Sequence, residues 1–214
     1  MLIVNHYLCK RISKAFIMAG TKQIRTALIS VFHKDGLDDL LKKLNEEEVK
    51  FLSTGGTQHF IESLGYNCLK VEDITSYPSI LGGRVKTLHP KIFGGILARR
   101  NNEDDRKQMA KYEIPDIDLV IVDLYPFEQT VINGANDQEI IEKIDIGGIS
   151  LIRAGAKNFE DVVIIPSKAE YPVLLQLLNT KGAQTELEDR KMFAERAFGV
   201  SSNYDAAIHE WFAK

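Results

Sequence analysis

Cationic and hydroxyl side chains concentrate in residues 81–100, LGGRVKTLHPKIFGGILARR, a stretch without a single acidic residue. Arg84, Lys86, Thr87, His89, Lys91, Arg99 and Arg100 surround two glycine pairs, Gly82-Gly83 and Gly94-Gly95. Glycine lets backbone N–H groups approach a ligand closely and permits positive φ. Fixed Arg and Lys groups beside such turns suit a phosphate or a developing oxyanion. Pro90 biases His89 away from helix. The segment therefore reads as a structured loop that presents side chains, with Arg84 and Lys86 sharing one face of extended chain. A solvated basic surface loop is the plain alternative. The paired glycines, and the apolar run Ile96-Leu97-Ala98 leading back toward a core, favour a site.

Three other places carry matching chemistry. Ser53-Thr54-Gly55-Gly56-Thr57 sets a glycine pair between two hydroxyls at a strand-to-helix turn, a geometry that points N–H groups and a positive helix end at an anion. Asp123-Leu124-Tyr125-Pro126-Phe127 puts an acid and a phenol after an apolar run, where open α/β sheets bind ligands. Asp145-Ile146-Gly147-Gly148 places an acid and a fourth glycine pair before a helical stretch that ends at Lys157. Taken singly, each has an ordinary reading: a βα loop, a surface ion pair between Asp145 and Lys157, a capping Lys34.

The elements that must position these groups follow from periodicity. Residues 26–32, TALISVF, read as a buried strand with Ser30, His33 and Lys34 at its end. Leu37, Leu40, Leu41 and Leu44 form one helical face, closed by Glu46-Glu47-Glu48. Residues 49–53 are a second strand, followed by a helix carrying Phe60, Ile61 and Leu64 and stopped at Gly65. Residues 68–71 are a short strand, 73–80 a loop, 103–112 a charged surface helix and 117–122 a very apolar strand. Asp137 suits the cap of a helix bearing Ile140, Ile141 and Ile144. Residues 149–157 are helical, 162–165 a last strand, and Tyr171-Pro172 opens a helix. Thr185-Glu186-Leu187-Glu188 reads as a capping box for the final one. Alternating strands and helices give an α/β class with a mainly parallel sheet.

Composition excludes several functions. The net charge of -3 argues against a dedicated nucleic-acid binder. No apolar run approaches the roughly 18 residues of a membrane helix. Cys9 and Cys68 lack CxxC spacing and read as reduced thiols of a cytoplasmic protein. His6, His33, His59, His89 and His209 show no metal-ligand spacing. Residues 1–20 match no element of the scaffold and read as a leader or extension, with Met18 as a natural start; residues 21–214 form the domain.

In order along the chain, Ser53-Thr54-Gly55-Gly56-Thr57, Gly82-Gly83-Arg84-Val85-Lys86-Thr87-Leu88-His89-Pro90, Leu124-Tyr125-Pro126-Phe127, Asp145-Ile146-Gly147-Gly148 and Arg153-Ala154-Gly155-Ala156-Lys157-Asn158 resemble the inosine monophosphate cyclohydrolase domain of bifunctional purine biosynthesis enzymes. The resemblance runs from about residue 26 to 212. It implies a methylglyoxal-synthase-like α/β fold, a homodimer, and closure of 5-formamidoimidazole-4-carboxamide ribonucleotide to inosine monophosphate with loss of water. It implies a cyclic amidine hydrolase class with no metal or organic cofactor, and a transformylase domain fused beyond the chain's end. By the same resemblance, Lys86 stabilises the carbinolamine oxygen with Tyr125, and Asp145 and Lys157 move protons. Ser30, Lys34, Thr54, Gly55, Gly56, Thr57, Arg84, Val85, Thr87, Asp123, Ile146, Gly147 and Gly148 hold the nucleotide. Two positions depart from the family pattern: Phe32 stands where many relatives have Ser, and Asp123 where many have Asn. A regulatory nucleotide-binding domain of the same fold, as in carbamoyl phosphate synthetase, and methylglyoxal synthase are the alternative readings.

Overall fold

The computed structural model describes residues 20–214; the expectations for the leader and for Cys9 lie outside the described residues. Five strands form one parallel sheet in the order β4-β3-β2-β5-β6. They are β2 (Thr26–Val31), β3 (Lys50–Ser53), β4 (Cys68–Lys70), β5 (Leu119–Asp123) and β6 (Val163–Ile165). β2 and β5 are central, paired in the register Ala27↔Leu119 through Val31↔Asp123. Ala27, Leu28 and Ile29 of β2 and Leu119 to Val122 of β5 are fully buried, as strands covered on both faces must be.

Helices cover this sheet as the apolar periodicities require. α1 (Leu37–Glu46) buries Leu37, Leu40, Leu41 and Leu44 and packs on α9 (Tyr171–Lys181). α2 (Gly55–Ser63) follows β3, and the five-residue α3 (Val71–Thr75) follows β4 directly. The α/β class with a parallel sheet thus holds, while the stretch 73–80 begins helical. α8 (Ile146–Lys157) lies against β5 and β6, flanked by α4 (Pro90–Leu97) and α10 (Leu187–Phe212). α5 (Glu103–Lys111), α6 (Phe127–Ile132) and α7 (Asp137–Ile141) complete the set.

Several boundaries move for identifiable reasons. α7 is capped by Asn136, whose side chain accepts from Glu139 N–H while Glu139 returns a bond, so Asp137 is its first residue and not its cap. The box at the last helix is Glu186 with Asp189, one residue beyond the expected Thr185. Thr185 belongs instead to β7 (Gln184–Thr185), which pairs antiparallel with β1 (Lys22–Gln23). This two-stranded seam joins the start of the described chain to the start of α10. Arg190, 1% exposed, fastens it by donating to the carbonyls of Gly20, Phe159 and Thr185.

The basic segment divides in two. Residues 81–83 form a 3-10 turn in which Gly82 and Gly83 have φ of 66° and 91°, angles that glycine adopts without strain. Arg84 follows with helical angles, so it does not share a face of extended chain with Lys86. From Pro90 to Leu97 the segment is α4, not loop, and His89 caps it by accepting from Lys91 N–H at 3.1 Å. Gly94 and Gly95 lie inside α4 against Ile114, Pro115 and Ile117. That pair therefore serves helix packing and cradles no ligand. The remaining cations are taken up by acids: Lys91 by Glu113 at 3.6 Å, Arg99 by Asp105 at 2.7 Å, and Arg100 by Asp116.

Candidate active site

The sheet order reverses between β2 and β5, and at such a switch point the carboxyl ends of the strands leave a crevice. A cavity of about 590 Å³ opens there, within the range of small-molecule sites. Ser30, Val31, Phe32 and Lys34 line it from the end of β2, and Asp123 and Tyr125 from the end of β5. Thr54, Gly56 and Thr57 come from the start of α2, and Gly82, Gly83, Arg84, Lys86 and Thr87 from the basic turn. Asp145, Ile146, Gly147 and Gly148 come from the start of α8.

Two helix N-termini thus face one space with two ammonium groups. At α2 the threonine hydroxyls are used internally. Thr57 Oγ1 donates to Val31 O at 3.0 Å, and Thr54 Oγ1 to Glu72 at 2.6 Å. What this turn offers an anion is its first-turn N–H groups, which have no intrahelical partner. Lys34 Nζ donates to the carbonyls of Val31 and Phe32, both at 2.8 Å. Its pKa lies below the usual lysine value because burial disfavours the charge; Asp123 opposes this and Lys86 adds to it.

Asp145 is built into its place. Its Oδ1 accepts from Gly148 N–H at 2.7 Å and caps α8, while its own N–H donates to Tyr204 Oη at 2.7 Å. Tyr204 in turn donates to Lys143 O at 3.0 Å, which carries α10 into the support of the site. A Cβ at position 148 would stand 2.5 Å from Asp145 Oδ2, and one at 147 would stand 3.3 Å from Thr87 Oγ1. The Gly147-Gly148 pair therefore allows the acid, the helix start and the basic turn to meet. Burial raises the Asp145 pKa above the ordinary carboxylate value; the N–H groups of Gly148 and Tyr125 and the Lys86 charge pull the other way.

The structure leaves three of the expected site residues outside the lining. Gly55 and Val85 adjoin it without facing it, Val85 being held in a bridge to Ile80. Lys157 is exposed at the far end of α8, about 16 Å from Ile146 at 1.5 Å per residue. Arg84 reaches the cavity edge but is ion-paired with Glu142 across it.

Residues passed over by pattern reading also belong here. Ile141, Glu142 and Ile144 also line the cavity, Glu142 meeting Arg84 of the basic turn. Lys143 Nζ sits 5.5 Å from the Phe32 ring centroid and 5.9 Å from that of Tyr125. The two family departures prove to be neighbours: Phe32 N–H donates to Asp123 O at 3.1 Å, and the Phe32 ring stands edge-on to Tyr125 at 5.4 Å. Their adjacency was the one available signal, and it needs the β2–β5 register to be seen. Among the described residues, no group of three or more His, Cys, Asp or Glu is placed to hold a metal ion, and no helix is long and apolar enough to cross a membrane.

Residues 36–150, more than half of the chain, match the family model of the MGS-like domain. The chain belongs to the MGS-like domain family. Beyond this MGS-like region, residues 155–214 match the model of the AICARFT/IMPCHase bienzyme. The chain is 65% identical over 195 residues to the bifunctional purine biosynthesis protein PurH of Bacteroides thetaiotaomicron, covering 91% of this chain and 38% of that protein. It is 46% identical over 195 residues to the PurH of Rhodospirillum rubrum, covering 91% and 37%. It therefore spans under two fifths of the length of these relatives, and it corresponds to their N-terminal part. Among solved structures, one described as the crystal structure of ForH superposes with a TM-score of 0.74 at 35% identity, covering 88% of this chain and 99% of that one.

Proposed function

We propose that this chain is an inosine monophosphate cyclohydrolase of purine biosynthesis, closing 5-formamidoimidazole-4-carboxamide ribonucleotide to inosine monophosphate with release of water. The observation that carries this reading is the convergence on one switch-point cavity of Lys86, Tyr125 and Asp145 with two anion-facing helix starts. The name of the relatives, bifunctional purine biosynthesis protein, supports a role in purine biosynthesis. Residues 21–214 are taken as one cyclohydrolase domain, acting as a cytoplasmic homodimer and joined to a transformylase domain in a longer protein.

In the reaction the carboxamide nitrogen attacks the formamide carbon. A C–N bond forms, the formyl oxygen gains charge, and after proton transfer that oxygen leaves as water. The cavity holds the two groups within one frame, which converts much of the entropic barrier into binding. The phosphate is assigned to Lys34 and the first-turn N–H groups at Gly56 and Thr57. Arg84, Ser30 and Thr87 take the sugar side, once the Arg84–Glu142 pair gives way. Lys86 and Tyr125 stabilise the oxygen as it becomes anionic. Asp145 accepts the proton lost by the carboxamide nitrogen, and proton transfer is assigned to it without Lys157.

Incubating the chain with the formamido ribonucleotide should raise inosine monophosphate absorbance at an undiminished rate after exhaustive chelation and without folate. Dihydroxyacetone phosphate, the substrate of methylglyoxal synthase, should give no product. Turnover of the lyase substrate alone, or tight nucleotide binding without turnover, would replace this reading with one of the two alternatives.

A pH dependence follows from Asp145. As a base it works only when ionised, and burial raises its pKa. Turnover is therefore full above that raised pKa and falls as pH drops through it. The acid limb should lie above the ordinary carboxylate range of about 3.9. Asp145→Asn should abolish that limb along with most of the rate; a mutant profile that keeps it assigns the limb to another group.

A further inference from the structure

His33 sits between the cavity-lining Phe32 and Lys34, touches the lining residue Asp123, and is in no role assigned above. Its backbone N–H donates to Asp123 Oδ2 at 2.9 Å, and its ring Nδ1 lies 2.8 Å from the same oxygen. A carboxylate only accepts, so Nδ1 carries the hydrogen and the ring tautomer is set. The Phe32 ring stands edge-on to the His33 ring at 4.8 Å, packing it from one side. Both contacts converge on Oδ2, Oδ1 takes no hydrogen bond among the described residues, and Asp123 lines the cavity. The Asp123 side chain is 11% exposed and that of His33 36%, so the acid is enclosed while its holder is more open to solvent.

Glu142 being paired with Arg84, two carboxylates of the cavity are left without a cationic partner in contact, Asp123 and Asp145, and the Asp123 charge adds to the rise in the Asp145 pKa. Neither can donate. A primary carboxamide has two N–H groups and no positive charge, and so matches two acceptors facing one space. Tyr171 adds a further constraint: its hydroxyl is buried without a hydrogen-bond partner, and burial together with the Asp123 charge holds its pKa up. Asp123 is thus supported by donors from His33 alone among the described side chains.

We propose that His33 is a positioning residue for ring closure: by holding Oδ2 of Asp123 it aims Oδ1 at one N–H of the substrate carboxamide, while Asp145 takes the other. The nitrogen lone pair is then fixed toward the formamide carbon. This rests on the cyclohydrolase reading. Nothing is transferred to Asp123 or His33; both orient.

Steady-state kinetics on the full chain with the formamido ribonucleotide test the idea. His33→Ala should lower kcat roughly tenfold to a hundredfold, the range implied by a lost hydrogen bond to a charged group. KM and product affinity should stay within about twofold, since the phosphate contacts are untouched. His33→Asn puts an amide N–H where Nδ1 stood and should recover most of the loss. If His33→Ala keeps wild-type kcat, the positioning role is wrong and the cyclohydrolase reading stands. If His33→Ala loses kcat, product affinity and thermal stability together and His33→Asn restores none of them, His33 is a structural clamp only. If wild-type protein turns over no formamido ribonucleotide, both readings fall together.

Discussion

Replacing Lys86 with alanine should lower turnover by about a hundredfold or more while product affinity changes by less than about threefold. Lys86 lines the cavity beside Asp145 and Lys34, and its charge acts on both. An ammonium is a compact charge suited to a single oxygen that gains charge during attack. An interaction that strengthens as charge develops lowers the barrier without tightening ground-state binding. Arg84 should behave in the opposite way. Its fork suits a static contact, and in the free protein it is already paired with Glu142. Arg84→Ala should therefore weaken nucleotide affinity with a smaller change in turnover. Calorimetry with inosine monophosphate and the absorbance assay separate the two. A Lys86→Ala enzyme that loses affinity in proportion to rate would make Lys86 a binding residue.

Gly95→Ala should lower stability by roughly 1–3 kcal/mol, the cost of overpacking a fitted contact. For a chain of this size that corresponds to a fall in Tm of roughly 2–12 °C. The added Cβ would stand 2.5 Å from the carbonyl oxygen of Pro115 and 3.0 Å from Ile117 Cδ1. The backbone there cannot yield cheaply, because Gly95 O already accepts from Ile117 N–H at 3.3 Å and from Arg100 Nη2 at 2.8 Å. Turnover below the transition should be unchanged, since Gly95 is outside the cavity. Gly199→Ala in α10 is the control: nothing lies within 4 Å of its added Cβ, and helix propensity alone should make it neutral or stabilising by up to about 1 kcal/mol. Scanning calorimetry of both variants decides the matter, and a Gly95→Ala transition at or above wild type would return the second glycine pair to the list of ligand cradles.

The contrast between the glycine pairs shows what could be read from the chain. The sheet was legible because β2, β5 and β6 are short, continuous apolar runs, and α1 because its leucines recur at helical spacing. The site's chemistry was legible where the groups are local: a glycine turn with Lys86 nearby, an acid before α8. Polarity alone could not divide residues 81–100. Whether a cation faces a cavity or an acid depends on partners such as Glu113, Asp105 and Asp116, which only the folded helices bring near. The Thr54 and Thr57 hydroxyls read as ligand contacts for the same reason, yet Glu72 and Val31 take them. The Lys157 assignment came from resemblance, and a straight twelve-residue helix carries that side chain away from the acid at its other end. β1 and β7 are two residues each, with no pattern to betray a pairing across most of the chain. His33 and Asp123 lie 90 positions apart, so their contact appears only with the β2–β5 register.

The seam between β1 and β7 also sets an order for folding and failure. The bond from Arg190 to Gly20 closes a span of 170 positions, and closure entropy grows with span, whereas the βα units assemble from near neighbours. The seam should form late, and a pairing of two residues is among the cheapest to open. α10 begins at that seam and runs 26 residues, about 39 Å, toward the cavity, where Tyr204 holds the backbone of Asp145. Opening of the seam should therefore loosen α10 and with it the hold of Tyr204 on the Asp145 backbone. On warming, turnover should be lost before the sheet unfolds.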